Sequence, residues 1–319
     1  MTIAVNWTNP YEDRRGEWLR GNLHAHTSPA SPCSQIPLGR VLDLYARKGL
    51  DFLSVSDHMC LTEAEDERLI LIPGVEWNAR GDGFSSYEHT GIYSLDDNLL
   101  RSVLSIANHD ELLQYLAGKE VLVVLNHPNW EMTPHYRREQ LARKEFFDGL
   151  EIFNGVVERV PGYAISTDKW DFLLSKGKRV LGFSNDDSHD EDDVGWAWNC
   201  VRAASPTAES ILDAVRKGNF YCSSGVNITD IRKTGDVIEV ETEDAQEIRV
   251  LCDRGLITRV NDKSVSFSLS SLDAYIRKLL EQVKDPSLHP LLSSTVSYVR
   301  VTAYGSGSSM AWTQPFFLK

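Results

Sequence analysis

The sequence predicts an α/β fold built on a parallel sheet or barrel. Short apolar runs alternate with amphipathic segments through the first two thirds of the chain, an order typical of repeated strand and helix units. Candidate polar clusters fall at the ends of the predicted strands, most of them at the carboxyl ends, where α/β proteins place their active sites. The composition, 42% hydrophobic and 25% charged, is that of a globular protein rather than a disordered or fibrous one.

The first predicted units follow one another closely. LGRVLDLYARKGL predicts a helix, and DFLSVSDH predicts a strand that ends at Asp57 and His58. LILIPGVEW predicts a buried strand that ends near Glu76, and HTGIYSL predicts a strand that begins at His89. Each of these strands therefore carries a polar side chain at one end.

The later units repeat this arrangement. DELLQYLAGK predicts a helix before the strand VLVVLNHP, which ends at His127. GLEIFNG predicts a further strand, KWDFLLSKGK a helix, and RVLGFSNDDSH a strand that ends at Asp187 and His189. TAESILDAVRKG predicts the last helix of this region.

From about residue 226 the pattern changes to strands with period-two alternation, among them VIEVET, EIRVLCD, SVSFSL and SYVRVTAY. One helical segment, LDAYIRKLLEQVK, interrupts them. We therefore expect two domains, an α/β domain over 1–225 and a smaller, mostly antiparallel β-rich accessory domain over 226–319. The second holds a single histidine, so we expect the chemistry in the first.

Charge and cysteine content narrow the classes of partner. The net charge of −13 disfavours stable nucleic-acid binding. The five cysteines are odd in number and form no CxxC pair, so neither a disulfide framework nor a cysteine zinc site is expected. No signal-type segment and no apolar run long enough for a membrane span is present in this sequence. We expect a cytoplasmic protein that does not contact membranes, with its oligomeric state open.

The stretch NLHAHT places His24 and His26 one residue apart after a predicted strand. Residues i and i+2 of a strand point to the same face, so the two imidazoles are expected to converge, as metal ligands do. Asp187 and His189 repeat this spacing in DDSH. An HxH pair alone is equally compatible with two solvated histidines. Six of the nine histidines fall at strand ends, however, which favours a metal site.

Mixed nitrogen and oxygen ligands without thiolates suit zinc, manganese or iron better than calcium. Buried carboxylates and imidazoles are costly to pack together unless a cation pairs with them. Glu76, in GVEW, is a carboxylate able to bridge two ions. We therefore expect two or three divalent metal ions as cofactors.

The motifs HAHT, SDH, GVEW, EHTG, NHP and DDSH follow in this order over roughly residues 20 to 225. The series resembles the polymerase and histidinol phosphatase (PHP) family of metal-dependent phosphoesterases. The resemblance implies a distorted seven-stranded (β/α) barrel with a two- or three-metal site at the carboxyl ends of its strands. The trailing β region, which ends in VRVTAYGSGSSMAWTQPFFL, is similar to that of PHP hydrolases described as acting on carbamates or esters.

The resemblance also implies a ligand set. Its members are His24, His26, His58, Glu76, His89, His127, Asp187 and His189. The sequence departs from the family pattern after HAHT, where SPASPCSQ lacks the further Asp or His ligand that many members carry. Either Cys33 or a water takes that place, or one ion is absent.

Three residues are candidates for proton transfer or for orienting a ligand. Asp57 adjoins His58, Asp186 adjoins Asp187, and His189 is able to carry a proton to a leaving group. The alternative for each aspartate is a turn cap.

Substrate contacts are predicted from loops that follow site strands. Asn154 in EIFNG is a candidate for binding substrate, with a loop-capping amide as its alternative. Loop arginines suit phosphate, although surface solvation is the alternative for each; they are Arg80, Arg137, Arg138 and Arg159. Trp130, Trp196 and Trp198 are candidates for an apolar or nucleobase-binding wall, or for core packing. The acidic run DEDDVG is expected to be a solvated loop.

The residues and the resemblance together predict a metal-dependent hydrolase that cleaves a small-molecule phosphate mono- or diester through a metal-bound hydroxide. A carbamate or carboxylic ester hydrolase using the same site is the runner-up. An exonuclease is disfavoured by the acidic charge. A non-catalytic binding scaffold is the alternative outside the enzymes.

Overall fold

The computed structural model describes residues 7–78, 88–130 and 136–318. The chain forms two compact units. One consists of residues 14–224, and the other combines the N-terminal residues up to 13 with the residues from 225 onward. Within the described ranges, no helix is both long and apolar enough to cross a bilayer.

The first unit alternates strands and helices, which confirms the predicted α/β class. Its strands are β1 (Trp18–Asn22), β2 (Phe52–Leu53), β3 (Ile70–Leu71), β4 (Gly74–Trp77), β5 (Thr90–Tyr93), β6 (Leu122–Leu125), β7 (Gly149–Asn154), β8 (Leu181–Asn185), β9 (Trp198–Arg202) and β10 (Phe220–Ser223). Its helices are α1 (Leu38–Arg47), α2 (Asp97–Val103), α3 (His109–Leu116), α4 (Arg138–Arg143), α5 (Thr167–Ser175) and α6 (Ala208–Arg216). The segments that predict helices coincide with α1, α3, α5 and α6.

Two sheets organise this unit. In one, the strand order is β4-β5-β6-β7-β8, with β6, β7 and β8 parallel and β5 antiparallel to both of its neighbours. In the other, β1, β2 and β3 are parallel, and β9 pairs antiparallel with β1 and β10. Because β5 is antiparallel to β4 and β6, the beginning of β5 lies at the same edge of the sheet as the ends of those two strands.

The expected closed seven-stranded barrel is not confirmed, because neither sheet closes on itself. Single parallel bridges join the two sheets, between Ala25 and Ser188 and between His58 and Glu76. The chain that follows β1, β2 and β8 leaves the regular ladder there and turns polar side chains inward. At these points a single backbone bridge takes the place of a continuous ladder.

Apolar packing fixes the strands that carry the polar segments. One buried cluster joins Val75 and Ile92 of neighbouring strands to Leu100 and Leu113 of α2 and α3. A second packs α1 against the segment that contains β2. Burying a side chain of this size stabilises the fold by about 1.5–3 kcal/mol. The strand ends are therefore held by cores on both sides.

The second unit is mostly antiparallel β structure. Its strands are β11 (Ile228–Thr234), β12 (Val237–Thr242), β13 (Glu247–Cys252), β14 (Gly255–Val260), β15 (Ser264–Ser268), β16 (Tyr298–Tyr304), β17 (Met310–Thr313) and β18 (Phe316–Phe317), with helices α7 (Leu272–Gln282) and α8 (His289–Leu292). β12 pairs with β11 and β15, β13 pairs with β14 and β16, and β16 also pairs with β17 and β18, all antiparallel.

The N-terminal residues pack with this second unit. Trp7 forms a bridge with Leu318, and the backbone N–H of Gln314 donates to the Tyr11 hydroxyl at 2.6 Å. These contacts join residues about three hundred positions apart, and no local pattern in the sequence signals them. The division into domains over 1–225 and 226–319 stays a prediction about which parts act independently.

Candidate metal centre

Eight side chains converge at one edge of the first unit. His24 and His26 follow β1, His58 follows β2, and Glu76 lies within β4. The others come from β5, which His89 precedes, from β6, which His127 follows, and from the segment after β8 that holds Asp187 and His189. All are buried except His189, whose side chain is 20% exposed. We call these eight residues the His/carboxylate cluster.

The paired histidines of NLHAHT face each other and a shared carboxylate. His24 Nε2 lies 3.1 Å from His26 Nε2. Asp187 Oδ1 lies 3.1 Å from the first nitrogen and 3.0 Å from the second. The three donor atoms therefore form a compact triangle.

Glu76 is the hub of the His/carboxylate cluster. Its Oε1 lies 3.2 Å from His89 Nδ1 and 3.3 Å from His127 Nε2. Its Oε2 lies 3.0 Å from His58 Nδ1 and 3.2 Å from His26 Nε2. Both oxygens thus face imidazoles, as expected of a carboxylate placed between two ions.

These distances fit divalent cations. Two nitrogen or oxygen ligands of one ion, each about 2.0–2.2 Å from it, lie roughly 3.0–3.4 Å from each other. Glu76 Oε2 and Asp187 Oδ1 are buried and accept no well-aligned hydrogen bond from the described residues, although imidazole nitrogens lie 3.0 Å from each. Atoms that converge without hydrogen-bond alignment are arranged as ligands rather than as partners of one another.

The donor atoms fall into four overlapping groups with metal-binding spacing. The groups are His26, His58 and His189; His24, His26 and Asp187; His24, Glu76 and His127; and His58, Glu76 and His89. His24, His26, His58 and Glu76 each belong to two groups. Shared ligands are a feature of sites that hold more than one ion.

The electrostatics of the cluster favour added positive charge. Burial alone would raise the pKa of Glu76, but the imidazoles, His24 first, hold that pKa well below its ordinary range. The pKa of Asp187 is lowered in the same way, against the effect of burial. Burial alone would lower the pKa of His26, but the close contacts of its Nε2 with Asp187 and Glu76 and the charges of these two carboxylates raise it to about 9. The carboxylates therefore remain ionised and attract cations.

Two imidazoles at the periphery behave differently. Burial lowers the pKa of His89 and of His189 to about 4, despite the carboxylates nearby. Both rings are therefore neutral near pH 7, which is the form that binds metals.

Glu151, in the middle of β7, orients the centre without belonging to it. Its Oε1 lies 2.8 Å from His24 Nδ1, so the opposite nitrogen of that ring faces the cluster. The backbone N–H of His127 donates to Glu151 Oε2 at 2.8 Å. Glu151 was not predicted as a site residue. Its signal in the sequence is a single charged residue within the buried run GLEIFN.

Asn126 is a second supporting residue that the sequence analysis did not single out. Its side-chain amide donates to Glu76 Oε1 at 2.8 Å, and its carbonyl oxygen accepts from the backbone N–H of Gly91 at 3.3 Å. Asn126 thereby ties the Glu76 carboxylate to β5. Its position directly before His127, in NHP, is the available signal.

Asn154 hydrogen-bonds to two carboxylates at the cluster. Its amide nitrogen donates to Glu151 Oε2 at 2.9 Å and to Asp187 Oδ2 at 3.2 Å. Its carbonyl oxygen accepts the backbone N–H of Val157 at 3.3 Å. The predicted role of Asn154 in binding substrate stays a prediction, and these contacts point instead to orientation of the carboxylates.

Asp57 is fully engaged by neighbouring hydroxyl and amide groups. Oδ1 accepts from the Thr27 backbone N–H at 2.7 Å and from the Ser31 hydroxyl at 2.6 Å, and Oδ2 accepts from the Thr27 hydroxyl at 2.6 Å. Ser31 Oγ in turn lies 3.1 Å from His26 Nδ1. Asp57 therefore acts on His26 through Ser31, and a proton-transfer role for it stays a prediction.

Asp186 faces away from the cluster. Its carboxylate accepts the backbone N–H groups of Gly195, Trp196 and Ala197, each at 2.8 Å. Burial raises the pKa of Asp186 to about 7, and these hydrogen bonds limit the rise. Asp186 thus fixes the backbone of residues 195–197. Its predicted catalytic role likewise stays a prediction.

Two ligand positions have left-handed backbone conformations. His127 has φ of 27° and Asp187 has φ of 55°, which non-glycine residues rarely adopt. Such strain persists only where the surroundings impose it, and it concentrates at functional sites. The backbone N–H of Asp187 donates to the His24 carbonyl at 2.9 Å, which holds one of these positions.

A pocket of about 180 Å³ opens onto the cluster. Besides cluster residues it is lined by Cys33, Trp130, Val156, Arg159 and Val160. Of the four predicted loop arginines, Arg159 therefore lies at the pocket, and of the three predicted tryptophans, Trp130 forms part of its wall. Burial raises the pKa of the Cys33 thiol to about 12, so this side chain is a neutral group in the lining.

The other loop candidates that the structure describes are not part of this lining. Trp196 is half exposed and donates to the Asp192 carbonyl, while Trp198 stacks under the Arg20 guanidinium, 3.4 Å from the ring centroid. Arg138 pairs with Asp168 at 3.0 Å. Arg80 lies outside the described residues, and Arg137 precedes α4.

Comparison with solved structures yields distant matches. A two-domain protein containing a predicted PHP-like metal-dependent phosphoesterase from Bacteroides vulgatus ATCC 8482 is 13% identical over 84% of this chain and 86% of its own, with a TM-score of 0.46. PsfC from Pseudomonas syringae PB-5123 is 15% identical over 62% and 88%, with a TM-score of 0.45. The lesion-specific endonuclease PfuEndoQ from Pyrococcus furiosus is 14% identical over 63% and 56%, with a TM-score of 0.44.

A PHP-like protein is therefore among the structural matches, in keeping with the resemblance of the motifs. No protein-family profile and no curated protein sequence matches the chain. The activity of this chain is inferred from the residues of the His/carboxylate cluster.

Proposed function

We propose that this chain is a metal-dependent hydrolase that acts on a small-molecule phosphate mono- or diester. The observation that carries the proposal is the position of Glu76 Oε2 and Asp187 Oδ1, two buried carboxylate oxygens that lie 3.0 Å from imidazole nitrogens without a well-aligned hydrogen bond. We propose that the four groups of donor atoms together hold two or three ions of manganese, zinc or iron. Such ions, when bound, supply a water of lowered pKa and neutralise charge on the substrate oxygens.

The protein's own side chains orient, bind and move protons around this centre. Glu151 keeps His24 in one orientation from the Nδ1 side. Arg159 at the pocket supplies a guanidinium for an anionic oxygen of the substrate. His189 Nδ1 lies 2.7 Å from the Asp187 carbonyl, so this nitrogen donates and Nε2 is the atom able to bind an ion or pass a proton.

The strand arrangement supports a distorted barrel as part of this proposal. The two single bridges bring β1 next to β8 and β2 next to β4. The resulting circular order is β1-β2-β4-β5-β6-β7-β8, seven strands in all. We propose that residues 1–225 form this metal-binding domain and that residues 226–319 form its β-rich accessory domain.

A carbamate or carboxylic ester hydrolase is a second candidate, favoured by the pocket walls. Val156, Val160 and Trp130 are apolar, and the charge of Arg159 is already paired with Asp193 at 2.5 Å. A neutral carbonyl substrate therefore also fits. Nucleic-acid strands are a poorer fit, because the acidic segment 190–193 follows His189 and the chain carries a net charge of −13.

The test is hydrolysis of p-nitrophenyl phosphate, bis-p-nitrophenyl phosphate and a p-nitrophenyl carboxylic ester before and after chelation. Chelator-sensitive release from either phosphate supports the phosphoesterase. Ester cleavage without phosphate release selects the second candidate. A His24→Ala variant separates an enzyme from a binding scaffold. The enzyme should lose turnover when this metal ligand is removed, whereas the scaffold should still bind its partner.

A further inference from the structure

Asp193 occupies an unusual place for a residue of an acidic loop. It ends the short helical turn Glu191–Asp193, and its side chain is only 3% exposed, while Glu191 and Asp192 are exposed. The sequence predicted a solvated loop here. The predicted loop thus contains one buried carboxylate, and buried carboxylates require partners.

The partners of Asp193 lie on two sides. Asp193 Oδ1 accepts from Arg159 Nε at 2.5 Å, and Oδ2 accepts from Arg159 Nη2 at 2.7 Å, which is a bidentate pair. Oδ2 also accepts the backbone N–H groups of His189 and Asp190, each at 2.8 Å. One carboxylate therefore holds both the arginine of the pocket and the backbone of a cluster histidine.

We propose that Asp193 is a positioning residue that sets the distance between an anion-binding guanidinium and the His/carboxylate cluster. The proposal rests on the proposed function in that Arg159 is taken to bind the substrate's anionic group. A bidentate pair fixes the plane of a guanidinium, and it uses two of the five N–H groups, which leaves three for an anion.

The exposure of Arg159 distinguishes positioning from simple stabilisation. The Arg159 side chain is 52% exposed, so its charge attraction to Asp193 is screened and contributes little to stability. A guanidinium without this pair would retain many rotamers and would lose them on binding an anion. The pair with Asp193 already restricts these rotamers before an anion binds. The same carboxylate accepts from the backbone N–H of His189, so the guanidinium is held in place relative to His189, whose ring also lines the pocket.

This arrangement defines the substrate more narrowly. One oriented guanidinium beside the cluster suits a compact substrate with a single anionic group, such as a phosphate monoester. A polyanionic strand would meet the carboxylates of Asp190, Glu191 and Asp192 in the same loop. Arg159 and Asp193 together are therefore expected to select for small anions.

The experiment measures binding of inorganic phosphate by calorimetry and metal content by elemental analysis. The proteins are the wild type, Arg159→Ala, Asp193→Asn, the double variant, and Asp192→Asn as a matched control on an exposed neighbour. We expect each single variant to weaken phosphate binding about tenfold. We expect the double variant to be no weaker than Arg159→Ala, because Asp193 acts through Arg159. The metal content of every variant should equal that of the wild type. The Asp192→Asn protein should also bind phosphate with wild-type affinity.

Several results would overturn the proposal. They are phosphate binding unaffected by Asp193→Asn, additive losses in the double variant, a lack of phosphate binding by the wild type, or a loss of metal in Asp193→Asn comparable with that in His189→Ala. If Asp193→Asn does not fold, Asp193→Glu keeps the charge while displacing the fork, and it should weaken phosphate binding with an unchanged circular dichroism spectrum. Unchanged binding by that variant would equally refute positioning.

The proposed function fails separately. A wild type that shows this phosphate pattern but hydrolyses none of the nitrophenyl substrates would retain the role of Asp193 and lose the phosphoesterase. An active phosphoesterase whose KM is unchanged in Asp193→Asn would retain the proposed function and refute the role of Asp193.

Discussion

Glu151 Oε1 lies 2.8 Å from His24 Nδ1, with both side chains completely buried. The same carboxylate also accepts from Asn154, Asn185 and the His127 backbone. It therefore links two cluster histidines to β7. A carboxylate behind a ligand imidazole fixes the orientation of the ring and increases its basicity.

Replacing Glu151 should weaken the metal site without removing a ligand. We expect Glu151→Gln to lower metal affinity or activity about 10- to 100-fold, because His24 loses a charged acceptor. Metal content after dialysis against a graded chelator measures the effect. Glu120→Gln is the matched control, since the Glu120 side chain is 90% exposed. Equal metal retention by the two variants would contradict the orienting role.

Asp57 should prove to be a stabilising residue of the loop that carries His26. Its oxygens accept from Thr27, Ser31 and Thr62. We expect Asp57→Asn to lower the free energy of unfolding by about 2–3 kcal/mol, because buried hydroxyl donors lose a charged acceptor. Urea denaturation of the metal-free protein measures this.

The comparison for Asp57 is Asp192→Asn, an exposed change in the same charge class. That variant should unfold at the wild-type urea concentration. If Asp57→Asn unfolds there too, the hydrogen bonds of Asp57 do not hold the loop.

His189 should matter more for turnover than for the retention of all metals. It belongs to one ligand group, whereas His26 and His58 each belong to two. We expect His189→Gln to keep at least part of the bound metal while kcat falls about 100-fold, because the most exposed cluster imidazole is lost. Steady-state kinetics with elemental analysis measures both quantities.

His109→Gln is the control for His189. His109 is buried, and its Nε2 lies 2.8 Å from the Thr90 hydroxyl, but it belongs to none of the ligand groups found among the described residues. It should keep its metal and its activity. Metal loss in His109→Gln equal to that in His189→Gln would mean that any buried histidine here affects the centre indirectly.

Metal removal should destabilise the folded protein. Ions that bind only the folded state at about 100 times their Kd add about 2.7 kcal/mol of stability. We therefore expect chelation to lower the Tm by about 5 °C or more. Differential scanning calorimetry with and without chelator measures the shift. An unchanged Tm in a protein shown to contain metal would contradict the link between the cluster and the fold.

The convergence of most cluster residues could be predicted because each lies at or beside a strand end, where spacing alone brings side chains to one edge. His24 and His26 illustrate this, since their i and i+2 spacing places both donors 3.0–3.1 Å from Asp187. His89 lies at this edge because β5 is antiparallel and begins there. The predicted parallel sheet does not give that orientation, and only the family resemblance implied His89.

The supporting residues could not be predicted in the same way. Glu151 lies inside a strand, and its partners come from segments up to 127 positions away. The pair of Arg159 and Asp193 spans 34 positions and depends on how two loops meet. The join between the two sheets depends on single bridges between separate strands, which the hydrophobic periodicity of the sequence does not encode.

The most direct test of the metal centre is elemental analysis of the wild type beside Glu76→Gln after equilibration with manganese, zinc or iron. Glu76 belongs to two of the four ligand groups. We predict about two or more ions per wild-type chain and a clear loss of ions in the variant. A wild-type chain that holds less than about one ion, or a Glu76→Gln protein that holds as many ions as the wild type, would contradict the assignment of this cluster as a metal centre.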